Sequence, residues 1–230
     1  MPIKLGMLTE GYDYLILRAY LGKMLHLADA EIESDSPDGS GHGHEWVKRN
    51  INDFLKRFYH QRRHLVIIST DNDGNVDLQS SGRPEDPSHP RHWLHAEAGP
   101  IAGCRWCHVH ERVESVRRGL NWFRDKPVAK WPIIIAIPVE AIEAWLLATR
   151  AIVHPGQGSK AAEQQGRSGH KLGFYGRPEP TLDDVKEIAV PLIQLLEDGQ
   201  LRSLRQNSRS FDDFAGQIDH HKEEILTSPP

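Results

Sequence analysis

Two solid apolar runs constrain this chain more than any other feature: Leu65-Val-Ile-Ile68 and Ile133-Ile-Ile-Ala-Ile137. A strand with one face in water alternates apolar and polar residues. A continuous β-branched run instead fits a strand covered on both faces, as in a parallel sheet with helices above and below. Residues 3–8 form a shorter run of the same kind, and residues 30–33 read as a brief strand. Between the runs the apolar period becomes helical. Leu15, Leu17, Tyr20, Leu21 and Met24 mark a helix over 12–25. Val47, Ile51, Phe54, Leu55 and Phe58 mark one over 45–59, and Val113, Val116, Leu120 and Phe123 one over 111–123. Pro138 is placed to open a helix continuing through 140–149, since proline suits a first helical turn. This order predicts an α/β fold, a Rossmann-like parallel sheet with helices on both faces, in which 3–8, 65–69 and 133–137 are neighbours.

The α/β domain is expected over 1–150, with an insertion at 75–130 where the periodicity collapses into Pro, Gly, Ser and His. Residues 151–180 are rich in Gly, Gln and Pro and read as a flexible connection. Thr181 and Asp184 form a capping-box variant that starts a helix to about 197, and 211–226 hold one or two more helices. Residues 151–230 are thus a mostly helical C-terminal appendage.

Composition narrows the function. Of 230 residues, 38% are hydrophobic and 26% charged, an ordinary globular balance. No apolar run approaches the ~20 residues that span a bilayer. No basic-flanked leader is visible, and Cys104 and Cys107 are the only cysteines. A cytoplasmic, reducing location without membrane contact is expected. The net charge of −4 excludes a basic nucleic-acid coat. Two stretches carry local positive charge: Lys48, Arg49, Lys56, Arg57, Arg62 and Arg63, then Arg202, Arg205 and Arg209. Each reads first as a solvated helix face and second as a phosphate-binding groove.

In parallel sheets, ligands sit beyond the carboxyl ends of the strands. Glu10, Asp71 and Asp73 each follow a predicted strand, at ends expected to face solvent. Alternating carboxylates there suit a hard divalent cation, Mg²⁺ or Mn²⁺. Asp71-Asn-Asp-Gly74 also reads as a plain strand-ending turn. A calcium loop is excluded because Val76 and Gly82 stand where glycine and an acid are required. A phosphatase of the Asp-x-Asp-Gly-Thr kind has Thr where this chain has Asn75.

Thr9-Glu10-Gly11 after the first strand, with Asp71-x-Asp73 after a later one, resembles the glutamate and paired-aspartate motifs of TOPRIM domains. Ile137-Pro-Val-Glu-Ala-Ile-Glu143-Ala-Trp-Leu-Leu-Ala148 resembles a segment of uncharacterised bacterial TOPRIM-like proteins, in which an aspartate follows. This chain has Thr149 there. The resemblance spans residues 3–148 and extends in fold to topoisomerases, primases and OLD-type nucleases. It implies Glu10 as general acid/base, Asp71 and Asp73 as Mg²⁺ ligands, and Glu143, preferred over Glu140, as a further catalytic acid. It also implies nucleic acid as substrate and an ATPase protein partner, as in bacterial phage-defence pairs. The chain itself has no phosphate-binding Gly-x-x-x-x-Gly-Lys-Ser/Thr loop. The leading expectation is therefore a Mg²⁺-dependent nuclease. The alternatives are a non-catalytic binding module for nucleic acid or a protein partner, and a small-molecule phosphatase.

His89, His92, His95, Cys104, Cys107, His108 and His110 crowd the insertion. Thiolate and imidazole in tetrahedral number suit a structural zinc, which can order a segment lacking a core of its own. Cys104, Cys107, His92 and His95 are the preferred ligands, with His89, His108 and His110 as alternates. Solvated histidines or a redox pair are the other readings. Cys104-Arg-Trp-Cys107-His108 also matches a c-type haem attachment pattern, which requires export. His42 and His44 read as free loop histidines.

Overall fold

A computed structural model describes residues 2–36, 43–71, 105–121, 131–138, 141–160, 162–164 and 169–227, with the side chains of 105–107, 121 and 164 excepted. It holds a four-stranded sheet of β1 (Ile3–Leu8), β2 (Ile32–Asp35), β3 (Leu65–Ser69) and β4 (Ile133–Ala136), in the order β2-β1-β3-β4. Every pairing is parallel: Leu5 lies opposite Leu65, Val66 opposite Ile133 and Ile3 opposite Ile32. The expected neighbours are neighbours, because both faces of the central strands are buried. Leu5, Met7, Leu65, Ile67, Ile134 and Ala136 enter one core, while Leu8, Val66, Ile68, Ile133 and Ile135 enter the other.

The smaller core is roofed by α2 (His44–His60) and α3 (Arg105–Asn121). Here α2 lies so close to β1 that a Cβ on Gly6 would stand 2.7 Å from the Phe58 ring. The larger core is covered by α1 (Asp13–Leu25), α4 (Ile142–Val153) and the helices that follow. These are α5 (His170–Tyr175), α6, α7 (Asp198–Asn207), α8 (Arg209–His220) and α9 (Lys222–Thr227). Helix α6 begins as Leu182–Asp184, passes through a π-helical segment at Val185–Ala189 and ends as Val190–Gln194. Thr181 Oγ1 accepts from Asp184 N at 3.2 Å, and Asp184 Oδ2 accepts from Thr181 N at 2.7 Å, so the capping box forms with aspartate. Phe211, Phe214 and Ile218 of α8 join the same core as the β1 and β3 side chains. Gln217 then closes the free edge of β4: its Nε2 donates to Ile135 O at 2.8 Å, and its Oε1 accepts from Ile135 N at 2.9 Å. Side-chain pairing of this kind covers the Ile135 backbone on an edge that could otherwise template aggregation.

Several boundaries differ from expectation. Helix α3 starts at Arg105, so the end of the Cys/His-rich stretch is helical. Pro138 precedes α4 rather than occupying its first turn; Ala141 is the N-cap. Residues 151–180 carry the end of α4, a short 3₁₀ turn at Ala162–Gln164 and α5. Helix α7 was not anticipated. No helix among the described residues is long and apolar enough to cross a membrane.

Candidate functional site

The C-terminal ends of β1 and β3 meet side by side, so Glu10 and Thr70-Asp71 come together. Asp71 N donates to Glu10 Oε1 at 3.2 Å, and the Thr70 hydroxyl donates to the same oxygen in a very short bond. His44 Nδ1 lies 2.8 Å from Thr70 Oγ1. With the Thr70 proton directed at Glu10, the imidazole is placed to donate from Nδ1 to the Thr70 oxygen. His44 is thus tied to the site, not a free loop histidine. Gly11, at φ +48°, turns the chain between β1 and α1. That bend brings Asp13, in the first turn of α1, back beside Glu10.

Glu10, Asp13, Asp71 and Glu143 line one cavity of about 480 Å³, together with Lys171 and Tyr175 of α5. Asp71 is buried, at 6% exposure, and does not face open solvent as a strand end was expected to. Glu143, at the start of α4, is 4% exposed. Its Oε2, like Asp13 Oδ2, is enclosed and has no hydrogen-bond partner among the described residues. Asp13 as a whole residue is half-buried; the enclosed oxygen is what its chemistry turns on. Burial raises the Asp13 carboxyl well above its usual range, and Asp71, Glu143 and Glu10 raise it further. Burial also raises Glu143, against an opposing pull from Lys171. Such acids gather protons or cations, because like charges in a shared, desolvated space cannot all remain ionised alone.

Among the described residues, no three His, Cys, Asp or Glu side chains stand ready as a ligand set. Mg²⁺ asks for less: it keeps several waters and takes one or two protein carboxylates. The Glu10–Asp71 pair and the enclosed oxygens of Asp13 and Glu143 fit that demand. Asp73 lies outside the described residues, as do Glu140, His89, His92, His95 and Cys104. Cys107, His108 and His110 fall in the first turns of α3, and burial lowers the His110 pKa, favouring the neutral imidazole that binds metal.

Thr149 stands where the resembling proteins carry aspartate. It is buried in the core and shares a 2.7 Å hydrogen bond with the Tyr20 hydroxyl. Much of the local positive charge is already matched: Lys48 by Glu45, Arg57 by Asp35, Arg63 by Glu33 and Asp35, and Arg205 by Asp212 and Asp219. Sequence reasoning missed Asp13, Thr70, His44, Lys171 and Tyr175. Asp13 alone had a local signal, three residues beyond Glu10. Comparison with protein-family models, curated proteins and solved structures finds no match for this chain.

Proposed function

We propose that this chain is a Mg²⁺-dependent phosphodiester-cleaving nuclease of TOPRIM type. The observation that carries the proposal is the hydrogen-bonded junction of Glu10 with Thr70-Asp71, in a cavity that also collects Asp13 and Glu143. Glu10 and Asp71, with Asp73, are the residues to hold Mg²⁺ (or Mn²⁺). When bound, the ion would neutralise charge on the attacked phosphate and the leaving oxygen. Glu10 is also the residue to move a proton, and the Thr70–His44 chain behind it fixes where its carboxylate points. Glu143 and Asp13 supply the negative field that concentrates cations in the cavity. Lys171, which lines the same cavity, partly balances that field.

The test is cleavage of single- and double-stranded DNA and RNA with Mg²⁺ against chelator. Glu10→Gln should lower the rate by about 10²-fold, the usual contribution of a positioned acid or base, without lowering the melting temperature. Asp73→Ala should remove Mg²⁺-dependent cleavage. Wild-type protein that binds Mg²⁺ and nucleic acid but cleaves neither strand would replace this reading with the binding module. The Cys/His-rich segment is proposed to hold one structural Zn²⁺ through Cys104 and Cys107 with two of the nearby histidines, and metal analysis of purified protein tests it. An ATPase partner remains part of the proposal through the resemblance alone, and a cytoplasmic setting through the sparse cysteine usage.

A further inference from the structure

Lys171 and Tyr175 stand four residues apart on α5, so they share one helical face. Both line the acidic cavity. Tyr175 is only 7% exposed, and its hydroxyl oxygen is enclosed with no hydrogen-bond partner among the described residues. Burial, reinforced by Glu143 and Asp13, pushes the phenol pKa far up, so the hydroxyl keeps its proton and is a donor. A buried donor without an acceptor is costly, and native proteins rarely leave one without a reason. Lys171 senses both Asp13 and Glu143. Among the described residues it forms no ion pair with either.

The element carrying this pair is fixed. Arg150 Nη2 donates to Phe174 O at 2.8 Å, and the Arg150 guanidinium lies 4.0 Å from the centre of the Phe174 ring. Gly176, at φ +74°, ends the helix, and its N–H donates to Leu172 O at 2.9 Å. An ammonium and a permanently protonated hydroxyl on one face of an anchored helix make a receptor for an anion. Next to the five carboxylates of Glu10, Asp13, Asp71, Glu143 and Glu179, an anion is admitted only in company with a cation. A phosphoryl group bound alongside a divalent ion meets both conditions.

We propose that Lys171 and Tyr175 receive the non-bridging oxygens of a substrate phosphoryl group. This rests on the metal-dependent phosphodiester chemistry proposed above and assigns the substrate half of the same cavity. The carboxylates serve the cation and α5 serves the phosphate. The pair contacts phosphate rather than base or sugar, so it admits phosphate esters without regard to base sequence.

Calorimetric titration of the full chain tests it, first with MgCl₂ and then with inorganic phosphate at saturating Mg²⁺, on wild type, Tyr175→Phe and Lys171→Met. Mg²⁺ affinity in Tyr175→Phe should stay within about twofold of wild type, because a phenol is not a ligand for the ion. Phosphate affinity should fall about tenfold in Tyr175→Phe and about 100-fold in Lys171→Met, the scale of hydrogen bonds to charged groups. Should Lys171→Met fail to fold, Tyr175→Phe decides alone. Phosphate affinity within about twofold of wild type in every folded variant overturns the pair and leaves the metal reading standing. So does wild type that binds Mg²⁺ and no phosphate. Wild type that takes up no Mg²⁺ overturns both.

Discussion

Glu163 and Glu143 are buried to the same degree, at 5% and 4% exposure, and burial raises the pKa of both. What meets each carboxylate is different. Glu163 Oε1 accepts from the Ser208 hydroxyl at 2.6 Å, from Trp145 Nε1 at 3.1 Å and, in a very short bond, from the Ser210 hydroxyl. Its Oε2 accepts from Arg209 N at 2.9 Å. Four fixed donors close the site, and they tie α4 to the start of α8. Glu143 has one oxygen with no partner among the described residues, and it lines a cavity shared with four other acids, Glu10, Asp13, Asp71 and Glu179. A buried acid whose acceptors are all met holds the fold together. A buried acid with an open oxygen beside others of its kind is kept for something that binds and leaves.

The comparison can be broken most directly by mutating both residues. Glu163→Ala strands four donors in the core and should cost about 3–5 kcal/mol, the range for breaking a buried charged network. Urea unfolding without metal measures it, and a loss below about 1 kcal/mol would mean the network is incidental. Glu143→Gln should behave in the opposite way. It removes a buried carboxyl whose charged form burial disfavours, so metal-free stability should hold or rise by about 1 kcal/mol, while Mg²⁺ affinity falls about tenfold. A Glu143→Gln protein as unstable as Glu163→Ala would make both glutamates structural.

The same contrast explains what could be read from sequence. Strands β3 and β4 were legible because each is buried along its whole length and apolar except for Ser69, with neither face in water. Helix α7 was not, because Leu204 is its only buried residue and no apolar stripe repeats along it. The start of α3 was hidden for the same reason: of the described side chains in residues 108–112, only Val109 is buried. In the site, Glu10 and Asp71 were legible as acids directly after strands. Asp13 stands in the first turn of a helix, where negative charge needs no other explanation, so its type alone does not mark it as a site residue. Lys171 and Tyr175 reach the cavity through tertiary packing of α5 against α4, anchored by Arg150. No local spacing encodes that contact.

The smallest expected effect is the most discriminating, because it asks which buried acid the cation reaches. Asp13, Glu143 and Glu163 all have folded-state pKa values above their ordinary ones. The folded protein therefore holds more protons than the unfolded chain between those two sets of values, and stability falls as pH rises through that window. The contribution is complete below the unfolded carboxylate range, near pH 4, and is lost once pH passes the raised folded values. Melting temperature of metal-free protein should therefore decline from mildly acidic pH toward pH 8, and less steeply in Glu143→Gln. Mg²⁺ binds only the ionised acids, so it should stabilise wild type most at the alkaline end, by the mass-action increment for a ligand that binds only the folded state. Glu163 titrates in the same direction, but its carboxylate is closed off by its four donors. The slope remaining in Glu143→Gln should consequently respond less to Mg²⁺ than the wild-type slope does. Melting curves from pH 4.5 to 8 with and without Mg²⁺ check this. A Mg²⁺ increment that is flat across that range would place the cation away from Asp13 and Glu143, and would remove the functional half of the contrast.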